Sequence, residues 1–233
     1  MKKSPFLLKI FSYVPLSIID CRTDVCTLFF LSHCNMRCIY CQNYPQFTQE
    51  IPLAKESFAK QIEKNWAVGI VKFTGGEPTL QEKGLIEAAK IVQDYGKKIA
   101  IDTNGTKPQV IEKLLQFEVA EVAVDYKAPP EKYQYITGVN SYQKVRTTIG
   151  ILKDQQIDFE VRTTIAEPII TVEDLHKIAE LLSKMEVPLW VLQLFKPTEN
   201  TPKWLKTPSR EKIIKEIEKL NDRYSLKIKL RSF

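Results

Sequence analysis

The most informative stretch of the chain is Cys34-Asn35-Met36-Arg37-Cys38-Ile39-Tyr40-Cys41, because it places three of the five cysteines within one short loop. The spacing is CxxxCxxC, and an apolar run at residues 25–31, typical of a buried strand, comes shortly before it. A loop of this length can wrap an iron–sulfur cluster and give one thiolate to each of three irons, whereas a structural zinc site needs four ligands. Three thiolates leave the fourth iron open to a small molecule.

The length and composition of the chain are those of a globular protein. The chain has 233 residues, of which 44% are hydrophobic and 27% are charged, which favours one domain. No apolar run approaches the roughly 18 residues of a membrane span, and no apolar segment with a cleavage site follows the N-terminus. We therefore expect a cytoplasmic protein without a membrane partner. An odd number of cysteines, three of them crowded together, favours metal binding or catalysis over a disulfide framework.

The basic charge is confined to the C-terminal end of the chain. From Lys203 onward, ten Lys and Arg residues stand against four Asp and Glu residues, which accounts for the whole net charge of +6. A nucleic-acid-binding protein would carry a basic face on its main body as well. The charge pattern therefore argues against a nucleic-acid partner, and the basic end is interpreted as a solvated face, with docking to a partner protein as the alternative.

Apolar runs and helical patterns alternate along the chain, which predicts right-handed βαβ units and a parallel sheet. Thr171 and Asp174 are expected to cap the last of the core helices. Six units are too few for a full eight-stranded barrel. We expect an α/β fold, either a partial (βα)6 TIM-like barrel with an open, curved parallel sheet and helices outside, or a doubly wound sheet. The predicted strands are 25–31, 69–73, 98–101, 119–124, 157–165 and 189–195, and the predicted helices are 54–66, 81–95, 108–117, 142–153 and 171–184.

Three regions are expected along the chain. Residues 1–24 are interpreted as an irregular N-terminal lead-in, and residues 25–200 as the core domain. Residues 201–233 are interpreted as a basic extension, with a helix at 209–220 and a strand at 226–230, packed on the core.

Polar clusters follow successive predicted strands, and this coincidence indicates a ligand site. In a parallel sheet the carboxyl ends of the strands meet at one edge, where ligands gather. Taken alone, each cluster is more typical of an ordinary turn. The clusters are Thr74-Gly75-Gly76-Glu77-Pro78, Asp102-Thr103-Asn104-Gly105 and Asp125-Tyr126-Lys127, while Arg162 lies inside the fifth strand.

These residues resemble the radical S-adenosylmethionine (SAM) superfamily, in which CxxxCxxC with an aromatic residue before its last cysteine, here Tyr40, is followed by Gly-Gly-Glu-Pro, here residues 75–78. The resemblance covers roughly residues 16–200. Within the superfamily, residues 102–105, 124–138 and 190–197 are most similar to the glycyl radical enzyme activases, and closest to the anaerobic ribonucleoside-triphosphate reductase activating proteins.

The resemblance implies a radical chemistry and its cofactors. Cys34, Cys38 and Cys41 would hold one 4Fe-4S cluster, with the amino and carboxylate groups of SAM on the fourth iron. An electron from a reducing flavodoxin or ferredoxin would cleave SAM to methionine and a 5′-deoxyadenosyl radical. That radical would abstract a glycine Cα hydrogen from a partner glycyl radical enzyme, here an anaerobic ribonucleotide reductase.

The resemblance also assigns roles to the strand-end residues. Glu77 and its Gly-Gly-Glu-Pro backbone would meet the methionine amino group, and Lys127 and Arg162 the methionine carboxylate, with strand-end ion pairs as the alternative. A monovalent cation would lie at Asp102, Thr103 and Asp125, and Asn104 would contact the ribose. The implied cofactor-binding residues are Tyr40, Gly75, Gly76, Glu77, Pro78, Asp102, Thr103, Asn104, Asp125, Lys127 and Arg162.

Several residues depart from the family pattern or lie outside it. Activases usually carry Pro-Gly before the first strand, where this chain has Asp20 to Asp24, and several carry a cysteine-rich insert that is absent here. Cys21 and Cys26 cannot ligate a second cluster by themselves and are interpreted as buried thiols, with a redox or partner-contact role as the alternative. His33 is expected to fill its loop or to donate a hydrogen bond to the cluster, and His176 to face solvent.

Two other functions stay open. A radical SAM enzyme could act on a small substrate, as in a 7-carboxy-7-deazaguanine synthase-like reaction, because short members of that group share the core. A zinc or iron–sulfur module without catalysis would instead show no requirement for SAM.

Overall fold

The computed structural model describes residues 8–231, which form nine strands and seven α-helices. The strands are β1 (Leu8–Ser17), β2 (Cys26–Leu31), β3 (Ile51–Leu53), β4 (Ile70–Gly75), β5 (Lys98–Thr103), β6 (Val119–Asp125), β7 (Phe159–Ile165), β8 (Trp190–Leu194) and β9 (Ile228–Arg231). The helices are α1 (Lys55–Lys64), α2 (Glu82–Asp94), α3 (Pro108–Leu114), α4 (Pro130–Thr137), α5 (Tyr142–Asp154), α6 (Val172–Lys184) and α7 (Arg210–Tyr224). Among the helices of these residues, none has the length and apolar character needed to cross a membrane.

The strands belong to one sheet in the order β3-β1-β2-β4-β5-β6-β7-β8-β9. The pairs β2·β4, β4·β5, β7·β8 and β8·β9 are parallel, whereas β1 runs antiparallel to both β2 and β3. Neighbouring strands follow one another along the chain from β4 to β9, as expected when each helix returns the chain to the next parallel position. The predicted α/β class with a mostly parallel sheet is confirmed.

The expectation of an irregular lead-in is wrong for residues 8–17, whereas residues 18–24 are irregular as expected. Residues Leu8–Ser17 form the longest strand of the described chain, while residues 1–7 lie outside that part. The strand has an irregular register against β2, and only three of its ten residues are buried. A strand near the sheet edge with this exposure lacks the continuous apolar run that marked the central strands, so periodicity did not identify it.

Two helices also differ from the predicted ones. The helix predicted at 54–66 ends at Lys64, so Trp66 lies beyond its end and is 86% exposed. Helix α4 was missed, although Pro129 is its N-cap, Pro130 is its first residue and Gly138 ends it in the left-handed conformation with φ of 77°. This helix is short and its apolar pattern is weak, so sequence periodicity did not identify it.

Helix α6 follows its sequence pattern closely. Thr171 and Asp174 form the expected capping box. Its predicted apolar stripe is fully buried and consists of Leu175, Ile178, Ala179 and Leu182. The expectation for His176 is wrong, because its ring is only 28% exposed and its Nε2 lies 2.7 Å from Glu216 Oε1 on α7.

The chain divides into two compact units. The first contains the described residues up to Asn35 together with Asn43–Thr103 and Lys107–Val122, and the second contains Met36–Gln42, Asn104–Thr106 and the chain from Ala123 onward. The first is built on three fully buried rings, Phe29, Phe58 and Phe73, with centroids 4.9 to 6.3 Å apart. The second contains three buried rings, Tyr126, Tyr133 and Tyr142, with centroids 5.9 to 6.2 Å apart.

Candidate functional site

The Gly75-Gly76 pair lies directly against the backbone that leads into Cys34. Strands β2 and β4 pair in register up to Leu31 and Gly75, and the Gly76 N–H then donates to the Leu31 carbonyl at 2.9 Å. A Cβ on Gly76 would lie 1.9 Å from the His33 carbonyl oxygen, and one on Gly75, whose φ is 113°, would lie 2.5 Å from Leu31 N. Glycine is therefore required at both positions for the strand end to approach the cysteine loop.

His33 fixes the entry to the cysteine loop. Its φ of 68° is left-handed, its N–H donates to the Phe47 carbonyl at 2.7 Å, and its carbonyl accepts from Glu77 N–H at 2.7 Å. Its ring pairs with the side chain of Glu50 at the surface. These contacts turn the chain immediately before Cys34.

The buried side chain of Glu77 connects two strand ends through hydrogen bonds. Its side chain is fully buried, and Oε1 accepts hydrogen bonds from Thr79 N–H at 3.1 Å, Thr79 Oγ1 at 2.5 Å and Thr103 Oγ1 at 2.7 Å. The first two bonds cap the short 3₁₀ helix Pro78–Gln81, and the third joins the end of β4 to the end of β5. The carboxylate therefore holds Gly-Gly-Glu-Pro in place from inside.

Asp102 is paired with a lysine that sequence reasoning missed. Lys72, in the middle of β4, is only 1% exposed, and its Nζ lies 3.0 Å from Asp102 Oδ1 and 3.4 Å from Glu121 Oε1. The same ammonium donates to the Asp20 carbonyl at 2.6 Å. A charged residue inside the apolar run 70–73 was the available signal, since buried lysines are rarely left without acidic partners.

In the second unit, Cys38 and Tyr40 share their surroundings with Asp125 and Lys127. Lys127 Nζ lies 2.9 Å from Asp125 Oδ2, and the Tyr40 hydroxyl donates to the Lys127 carbonyl at 3.5 Å. Burial raises the pKa of Tyr40 well above its usual value, against the nearby Lys127 charge. Burial disfavours the charged form of Lys127, but the negative charges of Asp125 and Cys38 raise its pKa well above the usual value, so the ammonium is retained.

The second half of the cysteine loop is anchored on helix α4. Arg37 N–H donates to the Thr137 carbonyl at 2.8 Å, and Ile39 N–H to the Ile136 carbonyl at 3.0 Å. The helix that periodicity failed to identify thus supplies acceptors for the backbone on both sides of Cys38, because its last carbonyls have no partners within the helix.

Arg162 lies on β7 beside a buried carboxylate. Its Nε donates to Glu160 Oε1 at 2.5 Å, and Arg231 on β9 reaches both oxygens of Glu160 at 3.1 and 3.3 Å. Burial opposes ionisation of Glu160, but the two guanidinium groups lower the pKa of that carboxyl below its ordinary value. The strand-end ion pairs that were the alternative for Lys127, Asp125 and Arg162 are therefore present.

Asn104 shapes the turn after β5. Its Oδ1 accepts from Thr106 N–H at 3.1 Å and Thr106 Oγ1 at 2.7 Å, and Gly105 follows with φ of 73°. The Gly105 carbonyl accepts from Thr148 on α5 at 2.8 Å. The turn is thereby tied to the helix behind it.

The three loop cysteines form no disulfide and are of intermediate exposure, whereas Cys21 and Cys26 are buried. Cys34 belongs to the first unit, and Cys38 and Cys41 belong to the second, with Cys41 N–H donating to the Cys38 carbonyl at 3.0 Å. Over residues 8–231, no three His, Cys, Asp or Glu side chains converge as ligands of a single metal ion. Thiolates are soft ligands that suit an iron–sulfur cluster, which takes them on separate irons. The partly exposed loop thiols fit that group by their chemistry.

Comparison with known proteins agrees with these motifs. The chain matches the Radical SAM superfamily over residues 28–185. It is 31% identical over 220 residues to a Methanocaldococcus jannaschii protein provisionally named a glycyl-radical enzyme activating enzyme, with 91% of this chain and 90% of the relative covered. It is 27% identical over 204 residues to a 7-carboxy-7-deazaguanine synthase of the same organism, with 79% of each covered.

A solved structure shares the fold. Streptococcus suis SuiB bound to S-adenosylmethionine superposes with a TM-score of 0.67 at 14% identity, over 85% of this chain and 48% of SuiB, so the chain spans about half of that protein's length. The family match over most of the chain and the relative covered nearly end to end lead to one conclusion: this chain belongs to the radical SAM superfamily.

Proposed function

We propose that this protein is a glycyl radical enzyme activase, which removes a hydrogen atom from a glycine Cα of a partner, an anaerobic ribonucleotide reductase. The observation that carries the proposal is the 31% identity to the glycyl-radical activating relative over about nine-tenths of both chains. When bound, the 4Fe-4S cluster supplies one electron, received from a flavodoxin or ferredoxin, that cleaves SAM to methionine and a 5′-deoxyadenosyl radical.

In this proposal Cys34, Cys38 and Cys41 hold the cluster. Support comes from their exposure and from the contacts of each half of the loop within its own unit: Gly76 packs on His33 in the first, and α4 accepts hydrogen bonds from Arg37 and Ile39 in the second. Backbone held in this way loses little conformational entropy on binding.

Lys127 and Arg162 are proposed to meet the methionine carboxylate, with Asp125 and Glu160 orienting them. The raised pKa of Lys127 keeps the amine protonated, as binding of a carboxylate requires. Glu160 holds Arg162 through Nε, which fixes the plane of the guanidinium group. Tyr40, whose hydroxyl donates to the Lys127 carbonyl, and Asn104, which shapes its turn, are proposed as further cofactor contacts.

We propose that Glu77 positions the Gly-Gly-Glu-Pro segment and does not itself contact the methionine amino group. Its Oε1 already accepts three hydrogen bonds, so we assign Glu77 to positioning and the backbone of Gly75 to Pro78 to the methionine amino group. A monovalent cation would compete with resident partners: Lys72 lies at Asp102, Lys127 at Asp125, and Glu77 accepts the Thr103 hydroxyl. We therefore propose that a cation binds here only by displacing these ammonium groups. Binding of Rb⁺ to the cluster-loaded enzyme tests this.

A second candidate is a radical SAM enzyme that acts on a small molecule, and the 27% identity to a 7-carboxy-7-deazaguanine synthase over 79% of both chains favours it. The two candidates share the cofactor chemistry and differ in the hydrogen donor. They are therefore separated by identifying the molecule that carries the radical.

The test uses protein reconstituted anaerobically with iron and sulfide, reduced with dithionite and incubated with SAM and a candidate ribonucleotide reductase. The activase predicts 5′-deoxyadenosine together with a glycyl doublet in the electron paramagnetic resonance spectrum of the reductase. If 5′-deoxyadenosine forms without the doublet, the small-substrate candidate is favoured. If fully loaded protein makes no 5′-deoxyadenosine, both fail and a non-catalytic iron–sulfur module is favoured.

A further inference from the structure

The C-terminal strand β9 contacts the strand that carries Arg162 without being its neighbour. Strand β9 pairs with β8 and β8 pairs with β7, so β8 lies between them. Arg231 on β9 nevertheless donates from Nη1 to Glu160 Oε1 on β7 at 3.1 Å, and from Nη2 to Glu160 Oε2 at 3.3 Å. The Arg231 side chain therefore spans the intervening strand, and all of these residues belong to the second unit.

The strand register explains how these side chains meet. Arg162 is aligned with Val191, and Gln193, two residues further along β8, is aligned with Arg231. Side chains alternate between the two faces along each strand, and aligned residues of parallel neighbours share a face. Glu160, two residues before Arg162, lies on the same face. The two arginines can therefore reach one carboxylate without crossing the sheet.

Arg231 holds the Glu160 carboxylate at both of its oxygens. A guanidinium fork that donates to two carboxylate oxygens fixes the plane of the carboxylate as well as its distance. The Glu160 side chain is 1% exposed, and burial opposes its ionisation, but the two guanidinium groups lower its pKa. Glu160 is therefore a charged acceptor of fixed orientation at neutral pH.

Glu160 transmits this constraint to Arg162. The oxygen that accepts from Arg231 Nη1 also accepts from Arg162 Nε at 2.5 Å. Because Nε joins the aliphatic chain to the guanidinium carbon, a hydrogen bond there limits rotation of the whole planar group. Without the fork from Arg231, the carboxylate could rotate, and the plane of the Arg162 guanidinium would change with it.

We propose that Arg231 is a positioning residue for SAM, which acts through Glu160 to hold the Arg162 guanidinium in the orientation that binds the methionine carboxylate. The proposal rests on the role assigned to Arg162 in the proposed function. It makes a residue of the C-terminal strand part of the support of the cofactor site. Arg231 adds no contact of its own to SAM, so its removal should weaken SAM binding only through Arg162.

The test measures SAM affinity by anaerobic isothermal titration calorimetry of the cluster-loaded protein without reductant, so that no SAM is cleaved. Arg231→Gln should raise the dissociation constant by about tenfold, as expected when a hydrogen bond to a charged group is disrupted. Arg231→Lys keeps the charge without the fork and should lose nearly as much affinity. Lys229→Gln is the matched control, since it removes an exposed cation from the same strand, and it should change the constant by less than about twofold.

A double variant distinguishes positioning from general destabilisation. In protein that already carries Arg162→Gln, Arg231→Gln should have no further effect on SAM affinity, because Arg231 acts only through Arg162. An equal loss in both backgrounds, or an affinity of Arg231→Gln that matches Lys229→Gln, would overturn the proposal. Circular dichroism checks that each variant is folded, and Arg231→Lys carries the test if Arg231→Gln is unfolded.

The same titrations separate this proposal from the proposed function. If Arg162→Gln weakens SAM binding and Arg231→Gln does not, only the role of Arg231 is wrong. If Arg162→Gln binds SAM like the wild type, the role of Arg162 is wrong and the proposal fails with it. The identity of the hydrogen donor does not affect these measurements, so they stand whether or not a glycyl radical forms on a partner.

Discussion

Substitution of Gly76 by alanine should destabilise the protein and loosen the cysteine loop together. The new Cβ would lie 1.9 Å from the His33 carbonyl oxygen, and real Cβ atoms essentially never approach closer than 3.0 Å, so the strand end would have to move by about 1.1 Å. Overpacking of this kind costs about 1–3 kcal/mol, and loss of the Glu77 N–H bond to the His33 carbonyl adds about 1 kcal/mol. The free energy of unfolding should therefore fall by about 2–4 kcal/mol.

Urea denaturation of the apo protein, followed by tryptophan fluorescence, measures this change. With a denaturant dependence of about 2 kcal/mol/M, the unfolding midpoint should drop by about 1–2 M. Iron content after reconstitution should fall as well, because the displaced carbonyl belongs to the residue before Cys34.

Gly150→Ala is the matched control. Gly150 lies inside α5, and a Cβ there would meet nothing within 4 Å, so this alanine should raise stability by about 0.5–1 kcal/mol and leave the iron content unchanged. If Gly76→Ala unfolds at the same urea concentration as Gly150→Ala and binds as much iron, then close packing of the Gly-Gly pair on the loop does not support the site.

Three further predictions follow from single contacts. Lys72→Met should lower the free energy of unfolding by about 3–5 kcal/mol, because it removes the ammonium group beside Asp102 and leaves Arg22 as the cation beside the buried Glu121, and adding Glu121→Gln should restore part of the loss in urea denaturation; no recovery in the double variant would contradict the pairing. Cys38→Ala should abolish both cluster binding and 5′-deoxyadenosine production, while Cys26→Ser should keep the iron content of the wild type; loss of iron in both would argue against the loop assignment. The lowered pKa of Glu160 means that its ionised form stabilises the fold above the ordinary carboxyl value of about 4.3, and that this contribution is lost as the pH falls through the lowered pKa. The unfolding midpoint of the wild type should accordingly decrease more steeply below about pH 4 than that of Glu160→Gln, and parallel profiles would rule out the contribution.

Local sequence patterns were sufficient to predict the central strands. Strands β2, β4 and β8 are largely buried and mainly apolar, so their sequences indicated buried strands even though β4 contains Lys72. The cap of α6 could also be predicted, because Thr171 and Asp174 have the three-residue spacing of a capping box. Strand β1 and helix α4 were missed because partial exposure and short length remove the periodic signal.

The family could be assigned from CxxxCxxC and Gly-Gly-Glu-Pro, because cluster ligation and a glycine-only strand end depend on residue types at fixed local spacing. The partners of the charged residues, in contrast, depend on the folded chain. Lys72 meets Glu121, 49 residues away, and Glu160 meets Arg231, 71 residues away. Pairing over such separations depends on strand order and register, which no local pattern contains, and burial then makes each unpaired charge too costly to keep.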